Sequence, residues 1–228
     1  MPFRIGGGRR RLRAAALVAA VGLSSLVGCA SGGDDDEVAQ QLTVFAAASL
    51  SGAFTEIAEE FEGAHPGVSI RLGFDGSSGL VDQLAGGAPA DVFASADVRT
   101  MDRAVAEGLV AGEPTPLATN VLTLITPPGN PAGITGLDDS LDGARLVVCA
   151  AVVPCGAAAR TLADTAGIDL APVSEESTVT DVRGKVTSGE ADAGIVYATD
   201  ARAVADRVER VPIAGADAAP NVYPVAVL

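Results

Sequence analysis

Apolar positions along this chain follow two alternating rhythms. Short unbroken runs read as buried strands, and between them apolar residues recur every three or four positions, as on one face of a helix. Residues 42–46 form the first run. Leu50, Phe54, Ile57, Ala58 and Phe61 then follow at helical spacing until His65-Pro66-Gly67 stops them. Residues 68–74 predict a second strand, Gly76-Ser77-Ser78-Gly79 a turn, and 80–84 a helix ending at Gly86-Gly87. A third strand over 91–95 and a third helix over 98–107 complete the first half.

The second half continues the alternation with new elements. Residues 121–126 are apolar and β-branched, and Pro127-Pro128-Gly129-Asn130-Pro131 breaks them sharply. Strands are predicted over 145–150, 194–197, 208–213 and 222–228, and helices over 156–165 and 179–188. No repeat of 20 to 50 residues is evident, which excludes a solenoid. The layering is α/β. The expected division is a first lobe with its main part over 42–120, a second lobe over 121–205, and a return to the first over 206–228.

The first residues follow neither rhythm. Arg4, Arg9, Arg10, Arg11 and Arg13 form a basic start, followed by an apolar run over 14–27. At about 14 residues that run is too short to span a bilayer and fits the apolar core of a secretory signal. It ends in Leu26-Val27-Gly28-Cys29, which resembles a lipobox, a small residue before a cysteine that is lipidated and becomes the new N-terminus. Residues 1–28 are therefore expected to be a lipoprotein signal peptide, with the protein exported and anchored to the outer face of the cell membrane through Cys29. An ordinary secretory signal with an incidental cysteine is the alternative. Ser31-Gly32-Gly33-Asp34-Asp35-Asp36-Glu37 is small and charged, so 29–41 reads as a flexible tether.

Charge then narrows the partners. Removing the signal leaves ten basic residues against 29 acidic ones, a formal charge of −19. Nucleic acid and anionic membrane surfaces are unfavourable partners for such a field, and any bound anion must be held by local dipoles. Tryptophan is absent and there are only two tyrosines and six phenylalanines, too few aromatics for a carbohydrate platform. With Cys29 lipidated, Cys149 and Cys155 remain as one pair in an oxidising compartment. A disulfide between them is expected, the alternative being two buried free thiols. One histidine and two cysteines offer too few soft ligands for a metal site.

Three strand-to-helix junctions offer hydrogen-bond donors. Ser49 follows the first strand, Ser77 and Ser78 follow the second between glycines, and Pro154-Cys155-Gly156 opens a helix in the second half. Free N–H groups at a helix start form a ready anion site, although any one of the three could be an ordinary cap.

Four segments together resemble the molybdate-binding proteins of ATP-driven molybdate importers. They are Thr43-Val44-Phe45-Ala46-Ala47-Ala48-Ser49-Leu50, Gly87-Ala88-Pro89-Ala90-Asp91-Val92-Phe93-Ala94-Ser95-Ala96-Asp97, Asp181-Val182-Arg183-Gly184 and Gly194-Ile195-Val196-Tyr197. They occur in the family's order and span nearly all of residues 42–228. The resemblance implies a type II periplasmic-binding fold, each lobe a mixed sheet flanked by helices, with the ligand in the interlobe cleft. It implies a monomer that delivers molybdate or tungstate to a membrane permease without a cofactor. Carried over by position, the hydroxyls of Ser49, Ser77 and Tyr197 and the backbone N–H groups of Cys155 and Val182 would hold the anion. Ser78 is the substitute if the alignment slips by one.

The chemistry of that set agrees with its implied ligand. Molybdate at neutral pH carries no proton, so its four oxygens only accept, and a site of donors alone suits it. Phosphate keeps a proton and favours an acceptor carboxylate, which this set lacks. Sulfate matches molybdate in protonation, so cavity size must separate the two; sulfate, phosphate or a small carboxylate is the alternative ligand. Two departures stand out. Cys155 replaces a residue that is often small and apolar, and the chain stops at Leu228 inside an apolar run where the family usually continues through further helices.

An enzyme would need a nucleophile with a base. His65, the only histidine, lies beyond the first helix from Ser49, no serine-hydrolase elbow occurs, and Lys185, the only lysine, is expected on a solvent face. A binding protein is therefore expected, not an enzyme. A structural lipoprotein without a ligand is a further alternative.

Overall fold

A computed structural model describes residues 40–228 of the protein. The expected signal peptide, Cys29 and most of the expected tether lie outside the described residues.

β1 (Gln40–Ala47) runs through a single turn of 3-10 helix (Ala48–Leu50) into α1 (Ser51–Ala64). β1 starts two residues inside the segment read as tether, because Gln40 and Gln41 pair with Val68 and Ser69 of β2 (Val68–Asp75), and backbone pairing needs no apolar side chain. α2 (Ser77–Ala85), β3 (Val92–Ala94), α3 (Val98–Ala106) and β4 (Ala111–Asn120) follow. β4 was not predicted from the pattern. It contains Pro114 and Pro116 and is mostly exposed, as suits a strand at the end of a sheet with one neighbour.

β5 (Leu122–Thr126) opens the second lobe, followed by β6 (Leu146–Cys149), α4 (Pro154–Ala166), β7 (Ser174–Glu176), α5 (Val179–Thr187), β8 (Ala193–Tyr197), α6 (Ala198–Arg202) and β9 (Glu209–Pro212). β7 and α6 were also not predicted, being a polar strand of three residues and a helix of five. β10 (Asn221–Val227) closes the described chain.

The first sheet has the order β2-β1-β3-β10-β4 and the second β7-β6-β8-β5-β9. In the first, β1 lies parallel to β2 and β3 while β10 runs antiparallel to β3 and β4. In the second, β6 is parallel to β7 and β8, and β5 antiparallel to β8 and β9. Both sheets are mixed and flanked by helices, the type II periplasmic-binding architecture. One boundary moves: the return to the first lobe was expected from residue 206, yet β9 pairs with β5, and only β10 rejoins the first sheet. Val208, Val211 and Ile213 carry too little pattern to say which sheet they complete.

The larger core fills the second lobe around Leu124, Ile125, Val147 and Ile195, and reaches the first lobe at Ala46, Ala94 and Tyr223. A smaller one lies under α2 and α3, around Leu80, Val81, Phe93 and Met101. Gly194 is fixed by packing: an added Cβ would stand 2.8 Å from a Val182 methyl and 2.9 Å from a Val186 methyl, so α5 sits directly on β8.

Candidate functional site

The two lobes meet around a small cavity. Ser49, Gly76, Ser77 and Ala96 line it from the first lobe, and Val153, Cys155, Val179 and Tyr197 from the second. Only about 10 Å³ of it is open to the centre of a water-sized sphere. That is room for about one water, so a tetrahedral anion enters only as the walls move apart. A sugar or peptide, whose pockets run to about 300 Å³ or more, is out of scale. No carboxylate, lysine or arginine lines it.

The hydroxyls are arranged so that their protons remain free. Ser77 is buried, and its Oγ accepts the Ala96 N–H at 3.0 Å, which leaves the Ser77 O–H to point elsewhere. Tyr197 is buried too, and its hydroxyl oxygen accepts from the Asn221 side-chain amide at 3.0 Å. The Ser49 Oγ lies 3.1 Å from the Tyr223 hydroxyl, and the rings of Tyr197 and Tyr223 meet edge to face at 5.6 Å. Burial, reinforced by Tyr223, holds the Tyr197 phenol well above the ordinary tyrosine range. Burial likewise raises the Tyr223 phenol, with the Ser49 hydroxyl pulling weakly the other way. Both tyrosines are therefore neutral donors at any physiological pH.

Two of the helix starts at the cavity are left uncapped, while that of α5, where Val179 lines the wall, is capped by Thr178. α3, whose start does not line the cavity, is capped by the Asp97 side chain, which accepts the Thr100 N–H at 2.8 Å. α2 and α4 have Gly76 and Val153 at the cap position and no side-chain cap, and the 3-10 turn holding Ser49 also has none. Their first N–H groups have no partner within the helix, and those of Ser77 and Cys155 stand at the cavity wall. Pro154 occupies the first helical position of α4, where its missing N–H costs nothing.

Cys155 is fixed from behind. Its sulfur is bonded to Cys149 at the end of β6, with the two Cα atoms 5.7 Å apart. A Cβ at Gly156 would fall 2.0 Å from the Ala150 carbonyl oxygen and 2.4 Å from that of Cys149, so only glycine lets the helix start fold back this tightly.

Two of the residues singled out in the sequence stand differently from the rest. Val182 is the fourth residue of α5 and its side chain is buried; Val179, the first residue, forms the cavity wall. The Val182 N–H donates its single proton to the Thr178 carbonyl at 3.4 Å, inside the helix, and Val182 does not line the cavity. The helix start was legible, since Thr178 and Asp181 form a capping pair: the Thr178 Oγ1 accepts the Asp181 N–H at 3.1 Å. Ser78 is turned away from the cavity, its hydroxyl donating to the Val152 carbonyl at 2.6 Å. Lys185 does not extend freely into solvent. It pairs with Glu176 at 2.5 Å, and its hydrogen bond is the main reason the Glu176 carboxyl lies below its usual range. His65 stacks on Phe61 at 4.0 Å at the end of α1.

A larger cavity of about 490 Å³ adjoins the first at Ser49, between α1, β4 and α6. Asp200 lines it, 3% exposed, with Oδ1 3.7 Å from Arg183 and Oδ2 buried without a hydrogen-bond partner. Burial raises its carboxyl to about 6, with Arg183 opposing.

Fold and site together define a two-lobed binding protein for a small solute. Residues 42–228 match the family described as bacterial extracellular solute-binding protein. The chain is 47% identical over 219 residues to the molybdate-binding protein ModA of Mycobacterium tuberculosis, covering 93% of this chain and 84% of that one. Two solved structures share the fold. The periplasmic molybdate-binding protein of Azotobacter vinelandii has a TM-score of 0.68 at 21% identity, over 82% of this chain and 84% of that one. The sulfate-binding protein SubI of M. tuberculosis has 0.64 at 21% identity, over 82% and 75%. The chain belongs to the bacterial extracellular solute-binding proteins, among the ModA molybdate-binding proteins.

Proposed function

We propose that this protein captures molybdate, and tungstate equally, from outside the cell and delivers it to the membrane permease of an ABC importer. It would do so as a monomer held at the outer face of the membrane by lipidated Cys29. The observation that carries this reading is the closed cavity with donors from both lobes and no carboxylate on its wall. Likeness to a molybdate-binding relative supplies the ligand.

In this reading the hydroxyls of Ser49, Ser77 and Tyr197 donate to the anion. The backbone N–H of Cys155, and that of Val182 on leaving its long bond to the Thr178 carbonyl, complete the shell. Charge-assisted bonds of this kind are about twice as strong as neutral ones. No side chain carries a countercharge, so binding rests on dipoles fixed before the anion arrives, which keeps the ordering cost low.

Calorimetric titration of the mature protein with molybdate, tungstate, sulfate and phosphate tests the reading. The expected result is similar tight binding of the first two, with sulfate at least roughly a hundredfold weaker, a gap of about 2.7 kcal/mol. Equal affinity for sulfate overturns it. Labelling with radioactive palmitate in wild-type and Cys29→Ser cells tests the anchor, which falls if both label alike.

A further inference from the structure

We propose that Ser78 and Arg99 form a latch that closes on the Val152 carbonyl and sets how long the bound anion is retained; this rests on the oxyanion reading above. Val152 lies in the loop that the Cys149–Cys155 disulfide closes. Its carbonyl oxygen receives two donors from the other lobe, the Ser78 hydroxyl at 2.6 Å and the Arg99 guanidinium at 3.2 Å. One carbonyl carries two lone pairs and can accept both.

The placement ties the latch to both halves of the site. Ser78 follows Ser77 directly at the start of α2, Arg99 is the second residue of α3, and Val152 stands three positions before Cys155. The loop is anchored by buried Val153 and the disulfide, while the Val152 side chain is 67% exposed and its carbonyl is turned to the other lobe. Arg99 has only a loose second partner, Asp97 at 3.6 Å, which leaves its charge available to the carbonyl. The donors and the acceptor belong to different lobes, so both bonds must break before the cleft opens. Loss of the latch therefore acts on release, while the encounter of anion with open protein is unchanged.

The test follows release of radiolabelled molybdate into excess unlabelled molybdate from the wild type, Ser78→Ala, Arg99→Gln, the double variant and Arg103→Gln. Arg103 is the control: it pairs with Asp82 and Glu107 within the first lobe, so its loss removes the same charge without touching Val152. Release from the double variant is expected to be about tenfold faster, as for the loss of two modest hydrogen bonds, with the association rate within about twofold of wild type. Arg103→Gln should release at the wild-type rate, and the ligand-free melting temperature of the double variant should match wild type. Unchanged release from the double variant, or equal acceleration by Arg103→Gln, overturns the latch while leaving the oxyanion reading intact. Wild-type protein that retains no molybdate overturns that reading, and the latch with it.

Discussion

Asn221 donates its side-chain amide to the hydroxyl of Tyr197 at 3.0 Å, joining β10 of the first lobe to the end of β8 in the second. The same amide donates to the Ala96 carbonyl at 3.1 Å, so its oxygen faces away from both partners. The phenol oxygen is thereby used as an acceptor, and its proton is left for the anion. Tyr197→Phe should lower molybdate affinity roughly ten- to a hundredfold, as the loss of one charge-assisted bond worth about 1.5–3 kcal/mol. Asn221→Asp should cost more, because a carboxylate would accept the phenol O–H hydrogen bond in place of the anion and add a repelling charge. Calorimetry on the two variants checks the order, and equal losses would contradict this account of the proton.

Ser49 and Ser77 should separate binding from stability. Ser49→Ala removes one anion donor and should cost roughly ten- to a hundredfold in affinity, with a smaller loss of stability than Ser77→Ala because the Tyr223 hydroxyl keeps Asn120 as a second partner. Ser77→Ala should cost as much affinity and also destabilise the ligand-free fold by about 1–3 kcal/mol, since it leaves the Ala96 N–H buried without its acceptor. Calorimetry paired with denaturant unfolding distinguishes the two.

Gly76→Ala should block closure without unfolding either lobe. A Cβ there would stand 2.3 Å from the Ser177 carbonyl oxygen across the cleft, and that backbone cannot yield while the lobes are shut. In solution scattering, wild-type protein should compact on adding molybdate and Gly76→Ala should not. Compaction of the variant would show that the contact is not limiting.

Asp200 predicts a pH dependence whose sign opposes that of the paired carboxylates. Its carboxyl lies at about 6 in the folded protein against 3.8 unfolded, so the native state holds the proton more tightly between those values. Its contribution to stability is therefore greatest below about pH 4 and is lost as pH rises to about 6, by up to about 3 kcal/mol. Glu176 and Asp192, both lowered, chiefly by Lys185 and Arg145 respectively, act the other way and lose stability as pH falls through the acid range. Unfolding from pH 4 to 7 should show a smaller decline in Asp200→Asn than in wild type. Parallel profiles would count against a buried, protonated Asp200.

The strands and helices that could be read from the sequence are those whose side chains alone specify them. The five residues of β5 are all buried and apolar or β-branched, and no other element explains such a run. β4 was illegible because it is held by β10 on one side only, and its prolines read as breaks. In the site, Ser49, Ser77 and Cys155 were visible because donors at strand-to-helix junctions have a local signature. Asn221 and Tyr223 were not, since their partners Tyr197 and Ser49 are set by the pairing of β10 with β3, more than a hundred residues away in sequence. A hint was present: a tyrosine in an apolar strand must find a partner for its hydroxyl, and this chain has only two.

The position of β10 between β3 and β4 also orders the folding of the protein. The second lobe is continuous from β5 to β9 and can form from contacts near in sequence, whereas the first sheet stays split until β10 is inserted. That insertion closes a loop spanning the entire second lobe, a step slowed by its chain entropy. Tyr223 and Asn221 arrive with it, so the hydroxyl network around the anion is among the last parts to assemble. A chain passing through a membrane as an extended thread would thus cross before its binding site exists, and would acquire its affinity only on the far side.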